Sequence, residues 1–248
     1  MSFFGAGNQF EQWKFDSGNA AYKTTLFTWL SLFVLVIAYP AMSLLGGDAE
    51  TVVEMLKTMT PGMLIFTLVT TVVVQWAIFG LNWASVFTEQ TGLKGLGLGQ
   101  LTPLHLAWAV AFWLSAIVIL GGLAWILAQL GYEIPGEIGL LIPESLGGKL
   151  LWVLVSITAG FCEEVAFRGY LMTRFRLLFK SQSWILPTLL SSVIFGICHA
   201  YQGTAGFILI TIYGAMFALL YIKTKSLWSG IIAHFFQDVM YIFIPGDF

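Results

Sequence analysis

Long apolar stretches separated by short polar segments make up most of the chain. A helix needs about 20 consecutive apolar residues to cross a bilayer, and most of these stretches reach that length, although the fourth to sixth are shorter or more polar. The pattern predicts an all-α polytopic membrane helix bundle with about seven transmembrane helices, in a single membrane domain over residues 1–248. The predicted spans lie near residues 25–46, 62–87, 105–128, 150–167, 184–200, 206–222 and 228–244.

The composition supports this class of protein. Hydrophobic residues make up 58% of the chain and charged residues only 10%, against roughly 25% charged residues in soluble domains. Such a chain cannot cover its surface with polar groups, so a soluble fold is excluded. We therefore expect a multi-pass protein of a cell membrane, with a bacterial inner membrane favoured.

Lysine and arginine are distributed unevenly between the two sides of the predicted membrane. With seven spans, the N-terminal tail and the loops near 88–104, 168–183 and 223–227 share one side, which holds eight of these residues. The other side holds only Lys57 and Lys149. Because basic loops favour the cytoplasm, we predict a cytoplasmic N-terminus and a C-terminus outside. The eight basic residues are Lys14, Lys23, Lys94, Arg174, Arg176, Lys180, Lys223 and Lys225.

The loop at 131–148 divides the chain by chemistry. The spans before it contain almost no ionisable residues, so residues 1–148 are predicted to be a scaffold. The spans after it hold every buried charge, so residues 149–248 are predicted to be the working core. Residues 169–183 mix basic, aromatic and aliphatic side chains, which favours an amphipathic helix on the cytoplasmic interface, with Ser183 as the N-cap of the next span.

Several other residues have ordinary explanations. The glycine-rich segment 91–99 does not fit a phosphate-binding motif and is predicted to be a flexible connector. Cys162 and Cys198 lie in apolar spans, where a small buried hydrophobic residue is the expected role. His105 begins a span, where we expect a capping or interfacial role.

Three short motifs of ionisable residues follow one another in the predicted core. In the first, Glu164 and Arg168 are four residues apart in the order that favours an ion pair on a helix. Glu163 would point about 100° away from Glu164 and be available for other work. In the second and third motifs the end residues share a helix face. The motifs are Glu163-Glu164-Val-Ala-Phe-Arg168, Phe195-Gly-Ile-Cys-His199 and His234-Phe-Phe-Gln-Asp238.

The residue types in these motifs suit hydrolysis. An ionisable side chain in a membrane helix costs at least ~2.5 kcal/mol on insertion scales, so a function is its default interpretation. Glu163 could deprotonate a water for attack on a carbonyl. The histidines could then donate hydrogen bonds to the developing oxyanion, each worth about 3–4 kcal/mol. No serine or threonine stands out as a nucleophile, so water is favoured.

The order of the three motifs resembles the CPBP family of CAAX proteases and bacteriocin-processing proteins, also called the Abi family. Glu-Glu-x-x-x-Arg, Phe-x-x-x-His and His-x-x-x-Asp/Asn follow one another over roughly residues 150–245, and together they make the resemblance specific. The family consists of intramembrane proteases similar to the type II CAAX prenyl endopeptidase. The resemblance implies an endopeptidase that hydrolyses peptide bonds near the cytoplasmic membrane face.

The resemblance also implies a role for each residue that matches a motif. Glu163 would be the general base that activates water, and His199 would position that water. Glu164 and Arg168 would form a supporting ion pair.

His234 and Asp238 would form the oxyanion-stabilising pair. Many family members have asparagine where this chain has Asp238, and an ionised carboxylate cannot donate to an oxyanion. Asp238 would therefore orient His234 or stay protonated. No cofactor is expected, but zinc remains an alternative because carboxylates and imidazoles are its usual ligands. The zinc ligands would be Glu163, His199, His234 and Asp238.

Two other classes of function remain open. One is a non-catalytic membrane immunity or signalling-modulator protein of the same fold. The other is a proton-coupled transporter, although the sequence has neither inverted repeats nor paired interrupted helices. The expected partners are membrane lipid and a protein or peptide substrate, which could itself be lipid-modified. No nucleic acid is expected.

The predicted spans leave one geometric difficulty. If the fifth span begins at Trp184, His199 lies ~22 Å along it, whereas Glu163 and His234 lie only ~7–10 Å from the cytoplasmic edge. We therefore expect the fifth helix to protrude from the bilayer, so that the site opens toward the cytoplasm and laterally to lipid.

Overall fold

A computed structural model describes residues 23–92, 96–132, 137–181 and 183–243. Within these ranges the chain forms eight helices, two of which contain a π-helical segment, and no β-strand, so the predicted all-α class is confirmed. The helices are α1 (Leu26–Leu45), α2 (Ala49–Thr58), α3 (Pro61–Thr88), α4 (Pro103–Gln129), α5 (Leu146–Leu178), α6 (Ile185–Ile197), α7 (Gly203–Thr224) and α8 (Trp228–Met240), with short 3₁₀ turns at Glu137–Leu141 and Ala200–Gln202.

Five helices are long and apolar enough to cross a membrane, namely α1, α3, α4, α5 and α7. Helices α6 and α8 have 13 residues each. At about 1.5 Å per residue such a helix is ~20 Å long, which is short of the ~30 Å hydrocarbon core. The polytopic bundle is therefore confirmed, and the fifth and seventh predicted spans correspond to these two short helices.

Helix α5 changes the predicted end of the fourth span. It runs for 33 residues, whereas the sequence predicts a span that ends near residue 167 and a separate interfacial helix over 169–183. The interfacial helix is wrong for the described residues, because Thr173 and Arg174 are fully buried and Arg176 is 6% exposed. The arginine side chains of this segment lie inside the bundle, whereas Lys180 is exposed.

Predictions for three single residues agree with the structure, and one does not. The N-cap of α6 is Trp184 and not Ser183, although the Ser183 hydroxyl accepts a hydrogen bond of 3.2 Å from the backbone N–H of the first residue of α6. The Thr102 backbone N–H donates to Nδ1 of His105 at 3.0 Å, which makes His105 part of a capping box. Cys162 is a buried free cysteine, and so is the cysteine that follows α6.

The two π-helical segments are Val34–Ala38 in α1 and Glu164–Leu171 in α5. In a π-helix each backbone N–H bonds to the carbonyl five residues earlier, and such segments are rare and frequent at functional sites. The second segment begins inside the first motif. The α-helical spacing of about 100° per residue therefore does not hold within Glu164–Leu171.

Gly160 allows α5 and α8 to pack backbone against backbone. A Cβ added at Gly160 would lie 2.9 Å from the carbonyl oxygen of Ile231 and 3.1 Å from the backbone nitrogen of Phe235. The indole N–H of Trp152 also donates to the backbone carbonyl of Asp238 at 2.9 Å. These contacts hold the helix of the third motif against the helix of the first.

The two ends of the bundle differ in charge. We call the end where α1 begins and α3, α5 and α7 finish the basic end. There Arg174 forms a fully buried ion pair with Glu89. At the opposite end the backbone N–H of Tyr201 donates to the Ser43 hydroxyl at 3.3 Å. The described basic residues of the basic end are Lys23, Arg174, Arg176, Lys180, Lys223 and Lys225.

The segment after α3 is packed against the start of α8. The carbonyl of Gly97 accepts a 3.1 Å hydrogen bond from the backbone N–H just before α8, and the carbonyl of Gly99 accepts one of 2.7 Å from the Trp228 indole. The predicted flexible connector is therefore wrong for residues 96–99. Residues 93–95 lie outside the described ranges.

Candidate active site

Glu163 lies near the middle of α5. It is about 15 residues, or ~22 Å, from the helix end at Leu178, whereas the predicted span ended four residues after it, near residue 167. Helix α6 starts at the basic end and runs beside α5, where the Ser191 hydroxyl donates to the Phe167 carbonyl at 2.8 Å. His199 follows the far end of α6. The predicted protrusion of this helix from the bilayer stays a prediction.

Glu164 and Arg168 form the predicted ion pair. Their side chains are each 1% exposed, and the guanidinium Nη1 donates to Glu164 Oε1 at 2.8 Å. The other terminal nitrogen of Arg168 donates to the Gly214 carbonyl at 3.2 Å. The guanidinium also lies over the rings of Phe195 and Phe217, 4.2 Å and 5.0 Å from their centroids. The buried charge of Arg168 is therefore balanced by Glu164, by the Gly214 carbonyl and by the two aromatic faces.

His234 lies between the two glutamates. Its Nδ1 is 3.2 Å from Glu164 Oε1, and its Nε2 is 3.8 Å from Glu163 Oε2. The expectation that the two glutamates serve different partners is therefore only partly right, because Glu164 contacts both Arg168 and His234. The wider turn of the π-helical segment lets two consecutive carboxylates approach opposite nitrogens of one imidazole.

Asp238 lies one helical turn beyond His234. Its Oδ2 is 3.8 Å from Nε2 of His234, and its side chain is 25% exposed, more than the other ionisable groups of the cluster. The shared face predicted for these two residues is confirmed. Nε2 of His234 thus faces two carboxylates, those of Glu163 and Asp238.

His199 is held by the helix that precedes it. Its Nδ1 lies 2.9 Å from the carbonyl oxygen of Phe195. Since a carbonyl can only accept, Nδ1 carries the proton and Nε2 carries the lone pair. Its ring lies 4.8 Å from that of Phe195 at a tilted angle of 57°, and the Phe195 ring lies 6.4 Å from that of His234. His199 also interacts electrostatically with His234 and Asp238, so the structure gathers all six predicted site residues.

Gln75 and Tyr39 belong to the predicted scaffold, and the sequence interpretation missed both as site residues. The amide Nε2 of Gln75 donates to Glu163 Oε1 at 2.8 Å, and both residues are 7% exposed. The available signal was an amide inside an apolar span, since such polar groups tend to find a partner on a neighbouring helix. Residues 1–148 therefore contribute directly to the cluster.

A small cavity lies beside Glu163, between α1, α3 and α5. Its volume is about 10 Å³. A buried water needs roughly this much space and two or more polar partners. Most of its wall is apolar, although Tyr39, Gln75 and Glu163 are among the residues that line it. The lining residues are Leu35, Tyr39, Gln75, Ile78, Cys162, Glu163, Ala166 and Phe167.

The predicted alternative of a zinc site stays a prediction. Among the described residues, no group of three or more histidines, cysteines, aspartates and glutamates is placed to hold a metal ion. The Phe195 carbonyl and the Glu164 carboxylate contact the Nδ1 atoms of His199 and His234, and the Nε2 atoms are outside these two contacts. We therefore derive no step through a metal.

The fold and the cluster together define a class: a multi-pass helical membrane protein with an acid–histidine site between its C-terminal helices. Residues 145–240 match the model of the family described as "Type II CAAX prenyl endopeptidase Rce1-like". All six predicted site residues lie within this range. This match supports the resemblance given by the three motifs, and it lies in the C-terminal part of the chain.

One curated relative supports the same class. The chain is 30% identical over 143 residues to a protein of Bacillus subtilis (strain 168) named "Putative membrane peptidase YdiL". The alignment covers 56% of this chain and 56% of that protein, so the chain spans little more than half of the relative's length. No solved structure matches the chain significantly.

Proposed function

We propose that the protein is an intramembrane endopeptidase that hydrolyses peptide bonds with a water activated by Glu163. The observation that carries this proposal is the position of the Glu163 carboxylate. It lies beside a cavity of about 10 Å³ and 3.8 Å from the imidazole of His234. A base, space for one water and a nearby donor are the parts that water-dependent hydrolysis requires. The family match and the name of the relative support this reaction class.

The first step joins the water to the substrate. Glu163 Oε2 takes one proton of the water, and the lone pair on Nε2 of His199 accepts the other hydrogen and orients the molecule. The water oxygen attacks the peptide carbonyl carbon, and the carbonyl π electrons move to its oxygen. The product of this step is a tetrahedral oxyanion and a protonated Glu163.

The second step breaks the peptide bond. The ring of His234, held at Nδ1 by Glu164, directs Nε2 toward Glu163 and the oxyanion, and an N–H there donates to the negative oxygen. Asp238 is acceptor-only when ionised, so its role is to orient His234. As the C–N bond breaks, Glu163 returns its proton to the leaving amine, which restores the ionised base.

The substrate we propose is a protein or peptide segment that reaches the cluster from within the membrane, in contact with lipid. A lipid-modified peptide is included, because the matched family is named for prenyl endopeptidases. No nucleic acid is expected as a partner. Zinc analysis of the purified protein tests the metal alternative directly.

We further propose a bacterial inner membrane with the basic end in the cytoplasm. In that orientation Glu163 is ~22 Å from the basic end of α5, whereas His234, which faces it, is only ~9 Å from the basic-end start of α8. His199 and Asp238 lie on the side of the opposite end. We keep the expected position near the cytoplasmic face, with an opening toward the cytoplasm, as part of this proposal.

The test compares wild-type protein with Glu163→Ala and Glu163→Gln in the same membranes. Comparative membrane proteomics should show a precursor that accumulates in both variants. Two quenched fluorescent peptides serve as substrates, each with a cysteine before its last three residues. This cysteine is farnesylated in one peptide and unmodified in the other, and purified protein should cleave at least one of the two. Loss of the base should lower kcat at least about 100-fold. Lys57→Ala, on the exposed α2, is the control and should cleave like wild type.

Two results would decide against the protease. Cleavage at the wild-type rate by Glu163→Gln would remove the proposed base. A cellular phenotype that survives both Glu163→Gln and His199→Ala would support the non-catalytic alternative instead.

A further inference from the structure

Gln75 is an uncharged polar side chain in the middle of an apolar helix. Helix α3 is long and apolar enough to span a membrane, and Gln75 is 7% exposed within it. An amide buried in such surroundings is costly unless it forms hydrogen bonds. The partner that Gln75 has found is Glu163 Oε1, at 2.8 Å. Gln75 lies outside residues 145–240, the segment that matches the family model.

The hydrogen bond distinguishes the two oxygens of the Glu163 carboxylate. Oε1 accepts from Gln75, whereas Oε2 is the oxygen that faces Nε2 of His234 at 3.8 Å. An amide N–H can only donate, so this contact requires an accepting oxygen at Oε1. Oε2 is not in contact with Gln75 and faces Nε2 of His234, so it is placed to take a proton from water.

The same contact fixes the direction of the carboxylate. The side chain of Glu163 has rotatable bonds, and one donor from a separate helix restricts them to a single arrangement. Gln75, Tyr39 and Glu163 line the same cavity, so α1 and α3 form one wall of the space beside the base. A base displaced by about 1 Å can lose a factor of ~100 in rate, which makes its orientation matter.

We propose that Gln75 is a positioning residue, which holds Glu163 Oε1 so that Oε2 faces the water and His234. This inference rests on the proposed function. It assigns part of the reaction to the N-terminal helices, which were predicted to be only a scaffold.

The principal variant is Gln75→Met, which keeps nearly the same shape but removes the donor. On the quenched fluorescent peptide, kcat should fall about 10- to 100-fold while KM changes less than about threefold, since the base is misplaced and the substrate contacts remain. A variant that is only less stably folded would contain fewer active molecules. Each active molecule would still respond to substrate concentration as wild type does. The active fraction is therefore measured by thermal unfolding of the same samples.

The matched control is Asn82→Leu. Asn82 is a fully buried amide two turns further along α3, and its side chain has no hydrogen-bond partner in the part of the chain that the structure describes. Its replacement changes a buried amide in the same helix without touching Glu163. Its kcat should stay within about twofold of wild type.

A second measurement does not depend on activity. Infrared spectra of the purified full-length protein in phosphatidylcholine vesicles, recorded at acidic pH, contain the C=O band of the protonated Glu163 carboxyl. The difference from Glu163→Gln identifies that band. A hydrogen bond to a carbonyl oxygen lowers its stretching frequency, so Gln75→Met should move the band to higher wavenumber. Asn82→Leu should leave it in place.

The outcomes separate this inference from the proposed function. If wild type cleaves the peptide and Gln75→Met matches it in both kcat and band position, the positioning role is overturned and the protease stands. If wild type cleaves nothing, the proposed function fails, and the band alone decides whether Gln75 holds Glu163. A shifted band together with a reduced kcat and a preserved KM supports the positioning role.

Discussion

Arg168 carries a full charge at a point where its side chain is only 1% exposed. The carboxylate of Glu164 and the Gly214 carbonyl accept its hydrogen bonds, and two aromatic faces cover the guanidinium plane. Glu164 in turn also faces His234. Removal of the cation would thus leave a buried carboxylate whose remaining polar neighbour is an imidazole.

Arg168→Met should therefore destabilise the protein strongly. Breaking a buried pair typically costs about 3–5 kcal/mol, because an uncompensated charge remains. The measurement is the free energy of unfolding in detergent, from denaturant titrations of wild type and variant. Lys57→Met is the matched control, since it breaks an ion pair with Glu54 whose side chains are 55% and 66% exposed. That change should cost less than ~1 kcal/mol, and equal losses in the two variants would contradict the buried compensation.

At the scale of single residues, the sequence predicts which residues form the site better than it predicts the contacts among them. The spacing of Glu164 and Arg168 was sufficient to predict their ion pair, because four residues on a helix bring such side chains together. The contact of both glutamates with His234 could not be predicted, since the π-helical segment is not visible in the residue pattern. Gln75 was missed because a neutral amide carries less signal in an apolar span than a charge does.

The helices that carry the site meet through small residues. In α5, Gly160 lies against the backbone of α8 between Ile231 and Phe235, three residues before Glu163. Any side chain there must separate α5 from α8. Since His234 lies on α8, such a separation moves the imidazole away from both carboxylates.

Gly160→Val should accordingly reduce activity more than it reduces folding. Overpacking of this kind costs about 1–3 kcal/mol, and a shift of the imidazole by about 1 Å can cost a further ~100-fold in rate. The measurements are thermal unfolding and cleavage of the fluorescent peptide by the folded fraction. Gly122→Ala in α4 is the control, because an added Cβ there meets nothing within 4 Å. Equal activity of the two variants would show that the α5–α8 contact does not set the position of His234.

The elements were predictable where the apolar pattern is long. Helices α3 and α4 agree closely with the spans predicted at 62–87 and 105–128. The end of α5 was missed because its basic residues resemble an interfacial segment, whereas Arg174 is neutralised by Glu89 inside the protein. Tertiary pairing of this kind joins residues far apart in the sequence, so no local pattern reveals it.

The whole molecule is tied together at the basic end by a polar network. The Thr28 hydroxyl of α1 and the Ser85 hydroxyl of α3 donate to Glu89 Oε1 at 2.6 Å and 2.8 Å. Arg174 of α5 pairs with the other oxygen of Glu89. Ser85 also shares a 2.6 Å hydrogen bond with the Tyr170 hydroxyl, within the π-helical segment of α5. The predicted scaffold and the predicted core therefore share one buried network as well as the cavity beside Glu163.

The charges at its two ends determine how the whole molecule is oriented in the membrane. The described lysines and arginines of the basic end outnumber Lys57 and Lys149, the basic residues of the opposite end. Cysteines introduced at exposed positions of the two ends test the orientation, because native Cys162 and Cys198 are buried and should not react. Lys57→Cys reports on the opposite end and Lys223→Cys on the basic end.

In intact bacterial cells a membrane-impermeant maleimide should label Lys57→Cys and leave Lys223→Cys unlabelled until the membrane is permeabilised. The physical reason is that basic segments are retained on the cytoplasmic side during insertion. Wild-type protein is the control and should remain unlabelled in both conditions. The reverse pattern would place the N-terminus outside. It would also turn the side of the cluster that holds His199 and Asp238 toward the cytoplasm, so the same experiment decides which compartment lies nearer to these two residues.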